Sequence, residues 1–284
     1  MDNRTQFFVL GNPRSGTSMF RLMLNSHPEI VVPPECGFAH WLSDKYMAQD
    51  FDQEEIYEVF SEDVFNSKKF ETWHLEQKDI LEVLLENKPT SYECAIQCVY
   101  LAYAKIKSNG KDPAVLGDKN NYFIDHILEL KAIFPKAKFI LLIRDGRDVA
   151  CSYLQIEKDD ISSIYKPSLS QSIEDIACEW VLNNEKVLRE VGSELFITRY
   201  EDLLSVPEET LSKVCEYLNL SFDQHMLSFY KKNDEPKEFL QWKSKTLEKI
   251  DKDNVAKYKK ILEPKEIENF NEIAIDMLKK FKYE

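Results

Sequence analysis

Two glycines, Gly11 and Gly16, enclose a short loop whose spacing can hold a phosphate group. Residues 11–18 read GNPRSGTS, and they follow an apolar run at residues 6–10 that is typical of a buried strand. Backbone N–H groups in such a loop, together with the positive end of the following helix dipole, form a concave anion site. Nucleotide hydrolases place a lysine before the last Ser or Thr of this pattern, but Thr17 stands there in this chain. The sequence therefore predicts an anion site that lacks the usual lysine.

Arg14 supplies a positive charge from inside the same loop. Its planar guanidinium group suits tetrahedral oxyanions, and Ser15, Thr17 and Ser18 add hydroxyl donors. The missing lysine argues against metal-assisted chemistry at a γ-phosphate, so we expect no metal at this loop. The alternative interpretation is a glycine-rich turn that only joins a strand to a helix.

A second basic turn follows a second apolar strand. Residues 139–143 are apolar and lead into Arg144, and a helical pattern that carries Ser152 begins just beyond. A guanidinium and a hydroxyl at this place predict a second anion site, and hence a ligand with two separated anionic groups. Two alternatives stay open here: a magnesium-binding strand that ends at Asp145, or a local salt-bridge lattice around Arg147.

The elements that must position these residues alternate between strands and helices. Short apolar runs typical of buried parallel strands occupy residues 6–10, 30–32, 114–117, 138–143 and 195–198. Apolar residues repeat at helical period over residues 17–25 and 122–134. This alternation predicts an α/β fold, with a P-loop-like parallel sheet flanked by helices on both faces.

The chain shows no linker-like segment, so we expect a single domain over residues 1–284. Residues 37–107 read almost wholly as helix and predict a helical insertion after the first strand, loop and helix. Such an insertion either walls an acceptor pocket or only thickens the core. The part from Pro207 onward also reads as helix.

Composition limits the classes of partner. The 37 basic and 50 acidic residues give a net charge of −13, which argues against nucleic acid and anionic membranes as partners. Any anionic ligand must therefore be held by a local basic cluster. No apolar run approaches the ~20 residues of a membrane span, and the first residues do not show the basic and then apolar pattern of a secretory leader. The cysteines do not have the spacing of zinc ligands. We expect a cytoplasmic protein without stable membrane insertion, and the sequence leaves the oligomeric state open.

Together, the two basic turns resemble those of sulfotransferases that use 3′-phosphoadenosine 5′-phosphosulfate (PAPS). The segments that carry the resemblance are GNPRSGTS, LIRDGRDVACS and RYEDLLSVPEETLSKVCEYL, and the resemblance spans about residues 5–220. It implies that the 5′-phosphosulfate is bound by Arg14, Ser15, Gly16, Thr17 and Ser18. It further implies that the 3′-phosphate is bound by Arg144 and Ser152, that Tyr200 touches the adenine, and that the C-terminal contacts come from Ser244 and Lys245, with Lys243 beside them.

The resemblance also suggests which branch of the family supplies the catalytic residues. Cytosolic members use a histidine after a core strand, but residues 115–120 read VLGDKN and offer Lys119 instead. Residues 25–38 resemble the segment that carries a catalytic glutamate in tyrosylprotein, carbohydrate and bacterial members, with Glu35 in that position. Glu35 is thus the expected base, with Glu29 and His40 as weaker substitutes, and Lys119 would stabilise the leaving phosphate.

The expected reaction is sulfuryl transfer from PAPS to an acceptor hydroxyl, with 3′-phosphoadenosine 5′-phosphate (PAP) as the product. Arg14 would stabilise the transferring group, and burial would raise the pKa of Glu35 toward useful basicity. The expected acceptor is a small molecule, a lipid, a sterol or a saccharide. The alternatives are a P-loop kinase or NTPase that uses ATP and magnesium, and a nucleotide-binding protein without activity.

Overall fold

A computed structural model of the chain describes residues 4–107, 112–159 and 161–283. Within this part, five strands form one parallel sheet in the order β2-β3-β1-β4-β5. The strands are β1 (Thr5–Leu10), β2 (Ile30–Val31), β3 (Val115–Lys119), β4 (Lys138–Ile143) and β5 (Phe196–Arg199). Because all strands run the same way, their carboxyl ends meet at one edge of the sheet.

Helices follow or precede every strand, as the crossovers of a parallel sheet require. The α-helices are α1 (Thr17–Asn25), α2 (Phe38–Trp41), α3 (Ser43–Tyr46), α4 (Glu55–Phe65), α5 (Gln77–Asn87), α6 (Tyr92–Lys107), α7 (Ile127–Ile133), α8 (Gly146–Lys158), α9 (Ile173–Val191), α10 (Tyr200–Ser205), α11 (Pro207–Tyr217), α12 (Leu240–Lys243), α13 (Tyr258–Ile261) and α14 (Pro264–Lys280). Turns of 3₁₀-helix cover Phe70–Trp73, Asn121–His126, Gly192–Glu194, Gln224–Lys232, Lys237–Phe239 and Ser244–Leu247.

Both faces of the sheet are buried. Successive side chains of a strand point to opposite faces, and accordingly Phe8 packs into one core cluster while Phe7 and Val9 pack into another. Helices α1, α10 and α11 cover the Phe7 side, and α7, α8, α9 and α14 contribute to the Phe8 side. Apolar runs without alternation are what a doubly covered sheet needs. The expected α/β architecture is confirmed.

The helical insertion predicted at residues 37–107 is also confirmed. It comprises helices α2 to α6 with one 3₁₀ turn, and it follows β2 rather than α1 directly. Its aromatic residues, such as Phe60 and Trp73, belong to the same core cluster as Phe8 of the sheet. The insertion therefore packs on the sheet and does not form a separate core.

Two predicted elements differ from the structure by more than one residue at an end. The strand expected at residues 114–117 covers Val115–Lys119, because Asp118 and Lys119 are buried polar residues that ended the apolar pattern too early. The helix expected at residues 122–134 begins as a 3₁₀ turn and becomes α-helix only at Ile127. As a result, Lys119 lies at the end of a strand and not in a loop after it.

In the described residues, no helix is long and apolar enough to cross a membrane. All six cysteines carry free thiols. The cytoplasmic location, the exclusion of nucleic acid and the absence of a metal at the first loop stay predictions.

Candidate active site

The loop between β1 and α1 has two residues in left-handed backbone conformation. Gly16 has φ 92° and Arg14 has φ 67°, and an Arg in this region is strained, as is common at ligand sites. A Cβ atom at Gly16 would lie 2.4 Å from the ring of Tyr200, so no side chain fits there. Gly16 is also the N-cap of α1. Since it has no side chain to accept the first N–H groups of the helix, those donors stay available to an anion.

A cavity of about 210 Å³ opens at the carboxyl edge of the sheet beside this loop. It brings together nine of the residues singled out from the sequence, namely Arg14, Gly16, Thr17, Ser18, Glu35, Lys119, Arg144, Tyr200 and Lys245. Lys69 and Lys243 also line it, so the described wall carries six basic side chains and one acidic side chain. In a chain of net charge −13, this is the local basic cluster that an anionic ligand requires.

Arg14 and Arg144 join the two basic turns. Arg144 Nη1 donates to the Arg14 carbonyl at 3.2 Å, and the Arg144 guanidinium lies 4.5 Å from the centre of the Tyr200 ring. Burial and the nearby Arg144 lower the pKa of Arg14 to about 10. Two guanidinium groups so close to each other are stabilised by an anion that contacts both.

Buried polar atoms without partners mark the same place. Within the described part of the chain, Arg144 Nε and Ser15 Oγ are buried and have no hydrogen-bond partner. An unpaired buried donor costs about 1–3 kcal/mol. A bound oxyanion would satisfy a donor such as Arg144 Nε and offset that cost.

The buried Lys119 and the partly buried Glu35 form an ion pair on the cavity wall. Lys119 Nζ donates to Glu35 Oε1, and it also reaches Ser18 Oγ of the loop at 3.3 Å. Lys243 Nζ lies 3.3 Å from Glu35 Oε1, and Lys69 Nζ lies 3.6 Å from Glu35 Oε2. Lys119 thus stands between the carboxylate and the loop that joins β1 to α1.

The electrostatics of Glu35 differ from the expectation. Burial alone would raise its pKa, but Lys119, Lys243 and Lys69 outweigh burial and hold the pKa well below its usual range. The raised pKa expected from the sequence is therefore wrong for this arrangement, because three ammonium groups from distant parts of the chain surround the carboxylate. Burial, assisted by Lys243, lowers the pKa of Lys119 to about 8 although Glu35 acts in the opposite direction.

A family profile described as Sulfotransferase family matches residues 6–224. The chain belongs to the sulfotransferase family. The profile covers β1 to β5 and both basic turns, so the resemblance predicted from the two turns is confirmed.

This sulfotransferase is similar to several curated relatives and solved structures. Protein-tyrosine sulfotransferase 1 of Danio rerio is 25% identical over 227 residues, which are 78% of this chain and 54% of the relative. Protein-tyrosine sulfotransferase A of Caenorhabditis elegans is 25% identical over 236 residues, which are 79% of this chain and 53% of the relative. This chain thus spans about half the length of these two relatives. The fold is similar to that of the sulfotransferase domain from the curacin biosynthetic pathway, with TM-score 0.62, 18% identity and coverage of 96% and 97% of the two chains.

Three serines predicted to bind the nucleotide lie outside the set of described residues that line the cavity. Ser152 Oγ accepts a hydrogen bond from Arg14 Nε at 3.0 Å, so it orients Arg14 of the first turn, and its contact with the 3′-phosphate stays a prediction. Ser15 is buried behind the loop, and Ser244 is exposed. A hydroxyl near a basic turn in the sequence does not reveal which way the side chain points.

Tyr200 supports the loop and the second turn together. Its ring packs against Gly16 and under Arg144, and its hydroxyl accepts a hydrogen bond from Asn254 Nδ2 at 2.6 Å. Tyr200 also lines the cavity. The contact with adenine implied by the resemblance stays a prediction.

The contacts of Arg147 distinguish between the two alternatives for the second basic turn, a magnesium ligand at Asp145 or a local salt-bridge lattice. Its guanidinium pairs with the Asp145 carboxylate at 2.8 Å, and Asp145 also caps α8 by accepting from Arg147 N. Because Asp145 is engaged in this way, the interpretation as a magnesium ligand loses support. The salt-bridge lattice exists around Arg147, and Arg144, which also lies 3.8 Å from Asp148 Oδ2, lines the cavity.

Several functional residues were missed in the sequence. Lys69 belongs to the insertion, and among the described residues it is the one from the insertion that lines the cavity. Asn121 accepts from Thr17 Oγ1 at 3.3 Å, and Asn254 holds Tyr200. The apolar wall is formed by Tyr165, Pro167, Phe239 and Trp242. These residues come from segments with neither motif nor periodic pattern, so only the charge of Lys69 offered a signal.

Glu29 and His40, the two weaker candidates for the catalytic base, lie away from the cavity. Glu29 is exposed, and His40 contacts Tyr122 and His126 on the outer side of the molecule. Neither is among the described residues that line the cavity. Glu35 is therefore the carboxylate with access to a ligand there.

Proposed function

We propose that this sulfotransferase moves a sulfuryl group from PAPS to an acceptor hydroxyl. The bond between sulfur and the bridging oxygen of the phosphosulfate breaks, and a bond between sulfur and the acceptor oxygen forms. The acceptor proton goes to Glu35, and PAP leaves with the electron pair of the broken bond. The observation that carries this proposal is the Glu35–Lys119 pair beside Ser18, in a cavity that both basic turns reach.

Charge and position support PAPS as the sulfuryl donor. The 5′-phosphosulfate would contact the amides of the loop, Arg14 and Ser18, where the N-terminus of α1 favours negative charge. The 3′-phosphate would lie at Arg144, with Lys245 as a further cation on the cavity wall. The fold is similar to that of a mouse sulfotransferase in complex with PAP, with TM-score 0.50 and 12% identity, which agrees with this choice.

We infer two functions for Lys119 from its position between Glu35 and Ser18. In the present arrangement the lysine keeps Glu35 ionised, which a base requires, but it also makes the carboxylate a weak base. We infer that the negative charge of bound PAPS attracts the Lys119 ammonium away from Glu35 and toward the bridging oxygen, on the side where Lys119 already contacts Ser18. Glu35 then loses its strongest partner, and its basicity rises when the acceptor hydroxyl is in place.

The acceptor that we propose is the phenol of a tyrosine in a protein or peptide. The curated relatives carry the name protein-tyrosine sulfotransferase, and an aromatic wall of Tyr165, Phe239 and Trp242 beside Glu35 suits a phenol ring. This replaces the expectation of a lipid, sterol or saccharide. A small-molecule hydroxyl stays the second candidate, because the curacin-pathway domain matches this chain over nearly the full length of both.

Transfer of labelled sulfate tests the reaction. The purified chain should move ³⁵S-sulfate from labelled PAPS to a tyrosine peptide, and Glu35→Gln should lose at least about 100-fold in kcat. PAP binding by calorimetry should persist or tighten in Glu35→Gln, because a negative charge leaves the cavity. Glu29→Gln, an exposed acid on the same segment, is the matched control and should keep wild-type activity. An active Glu35→Gln enzyme would reject the assignment of the base.

Two further measurements separate the competing functions. Comparing tyrosine peptides with small phenols and aliphatic alcohols as acceptors decides between the two candidate acceptors, since only the preferred class should give saturable turnover. Calorimetry with ATP–Mg and with PAP tests the kinase interpretation. Tight binding of ATP–Mg and none of PAP would overturn the proposed donor, and PAP binding without turnover on any acceptor would favour a nucleotide-binding protein.

A further inference from the structure

Three side chains with metal-binding chemistry meet away from the cavity. One ligand atom from each of His40, His126 and Glu129 lies within 4.8 Å of the other two. The two imidazole rings have centroids 3.9 Å apart. None of the three belongs to the described residues that line the cavity. Sulfuryl transfer therefore gives no reason for this cluster.

The distances in the cluster suit one small metal ion. His126 Nδ1 and Glu129 Oε1 are 3.6 Å apart, which is too long for a hydrogen bond. Two ligands of one tetrahedral zinc ion, with bonds of about 2.0–2.2 Å, are separated by about 3.4 Å. His126 Nδ1 is moreover a buried atom without a hydrogen-bond partner in the described part of the chain. A metal ion would give this lone pair a partner.

A neighbouring hydroxyl orients the second imidazole. Tyr122 Oη lies 3.0 Å from His40 Nδ1. In the tautomer in which Nδ1 carries the proton and donates to the phenol oxygen, His40 Nε2 presents its lone pair. Metal-binding histidines are commonly held in this way through the other ring nitrogen.

We propose that His40, His126 and Glu129 bind one divalent transition-metal ion. Two imidazole nitrogens and one carboxylate oxygen match Zn²⁺ best, with water as the remaining ligand, whereas Mg²⁺ and Ca²⁺ prefer oxygen ligands. The two histidines are far apart in the sequence, so ligand spacing does not reveal the site.

The ion would connect two segments that both lead to the cavity. His40 lies on α2, shortly after Glu35, and His126 ends the 3₁₀ turn that begins at Asn121. Because Asn121 follows β3 and its Lys119, the metal would fix the insertion against the strand end that carries the ion pair. We expect a structural function that raises the thermal stability, since ligands that bind the folded state stabilise it.

Calorimetry with ZnCl₂ on the EDTA-treated full chain tests this site. We use a Cys178→Ser background because Cys178 is an exposed thiol, and thiolates also bind zinc. The parent protein should bind one Zn²⁺, and MgCl₂ should not compete. His126→Ala and Glu129→Gln should each weaken Zn²⁺ binding at least tenfold, and Tyr122→Phe should weaken it about 10–100-fold.

The matched control is His225→Ala. His225 Nδ1 pairs with Asp223 at 2.7 Å on the surface, which gives an imidazole and a carboxylate without a third ligand. This variant should keep the affinity and the rise in Tm with Zn²⁺. Glu129 is exposed, so Glu129→Gln should fold normally, and its circular dichroism without metal checks this. Absence of saturable binding in the parent protein, or equal affinity in Glu129→Gln and His225→Ala, would overturn the proposal.

Discussion

Gly16 is the residue at which the loop after β1, helix α1 and Tyr200 meet. We predict that Gly16→Ala abolishes PAP binding, because the added methyl group meets the Tyr200 ring at 2.4 Å and displaces it from Arg144. The left-handed backbone adds a cost of about 1–2 kcal/mol to the free energy of folding. Urea unfolding and PAP calorimetry measure the two effects separately.

Gly192→Ala is the control for this experiment. Gly192 also has a positive φ, of 77°, but no described atom lies within 4 Å of the position of its Cβ. The control should lose stability through its backbone alone and keep the PAP affinity. An equal loss of PAP affinity in both variants would contradict the specific contact between Gly16 and Tyr200.

Lys119 should control the alkaline limb of activity. Its folded-state pKa of about 8 lies below the ordinary value for lysine, and the ammonium form is the one that donates to the leaving oxygen. We therefore predict that kcat/KM for PAPS is constant below pH 8 and falls as the pH rises through about 8. Lys119→Arg, whose charge persists, should move this limb to higher pH at a lower rate. A profile that is flat from pH 7 to 9.5 in the parent protein would exclude Lys119 as the donor.

For single residues, the sequence predicted which charged side chains line the cavity better than it predicted which hydroxyl groups do. Arg14, Arg144, Glu35 and Lys119 line the cavity as expected, since each stands at or just beyond the end of a strand or in the loop that follows one. Ser152 lies on the second turn of α8, where a shift by one residue turns a side chain about 100° around the helix. Its bond to Arg14 therefore depended on packing that no local pattern contains.

Helix α1 is held by Arg21 as well as by its apolar side. Arg21 is buried and pairs with Asp234 at 2.8 Å and with Glu235 at 2.9 Å, while Glu235 also pairs with Lys243. We predict that Arg21→Ala lowers the free energy of unfolding by about 3 kcal/mol, because Asp234 loses its cationic partner and the buried Glu235 keeps only Lys243. It should also weaken PAP binding, since Glu235 positions the cavity residue Lys243.

Equilibrium urea unfolding measures the effect of Arg21→Ala. Lys213→Ala is the comparison, because Lys213 pairs with Glu209 on the exposed face of α11 and such pairs contribute little. It should leave both the unfolding midpoint and the PAP affinity unchanged. If Arg21→Ala behaves in the same way, the segment that carries Asp234 and Glu235 is not held through this arginine.

Some element boundaries could be predicted from the point at which an apolar run ends. The bounds of α1 and β4 match the expected ranges, Thr17–Asn25 and Lys138–Ile143. The end of β3 was missed because Asp118 is buried and accepts a hydrogen bond from Tyr100, a residue of the insertion. A polar pair buried by a distant helix looks like a loop in the sequence.

The whole molecule should unfold in one step. We propose that residues 1–284 form one folding unit, because a single core cluster contains Phe8 of the sheet, Trp73 of the insertion and Phe270 of the last helix. We predict one urea transition that is the same by tryptophan fluorescence and by far-ultraviolet circular dichroism. Trp73 and Trp180 report on opposite parts of the chain. Two resolved transitions, or transitions that differ between the probes, would show that the insertion unfolds separately.

The order of the strands has a consequence for protein engineering. Lys119 is the last residue of β3, while the loop with Arg14 follows β1 and the Arg144 turn follows β4. These three strands are direct neighbours in the sheet. Adjacent strands are about 4.8 Å apart, so the sheet itself fixes the three cationic positions over about 10 Å. The aromatic wall, in contrast, comes from segments that follow α8 or precede α12, or belong to α12 itself. Grafting these segments from another family member should therefore change the acceptor specificity, while the affinity for the donor nucleotide stays the same.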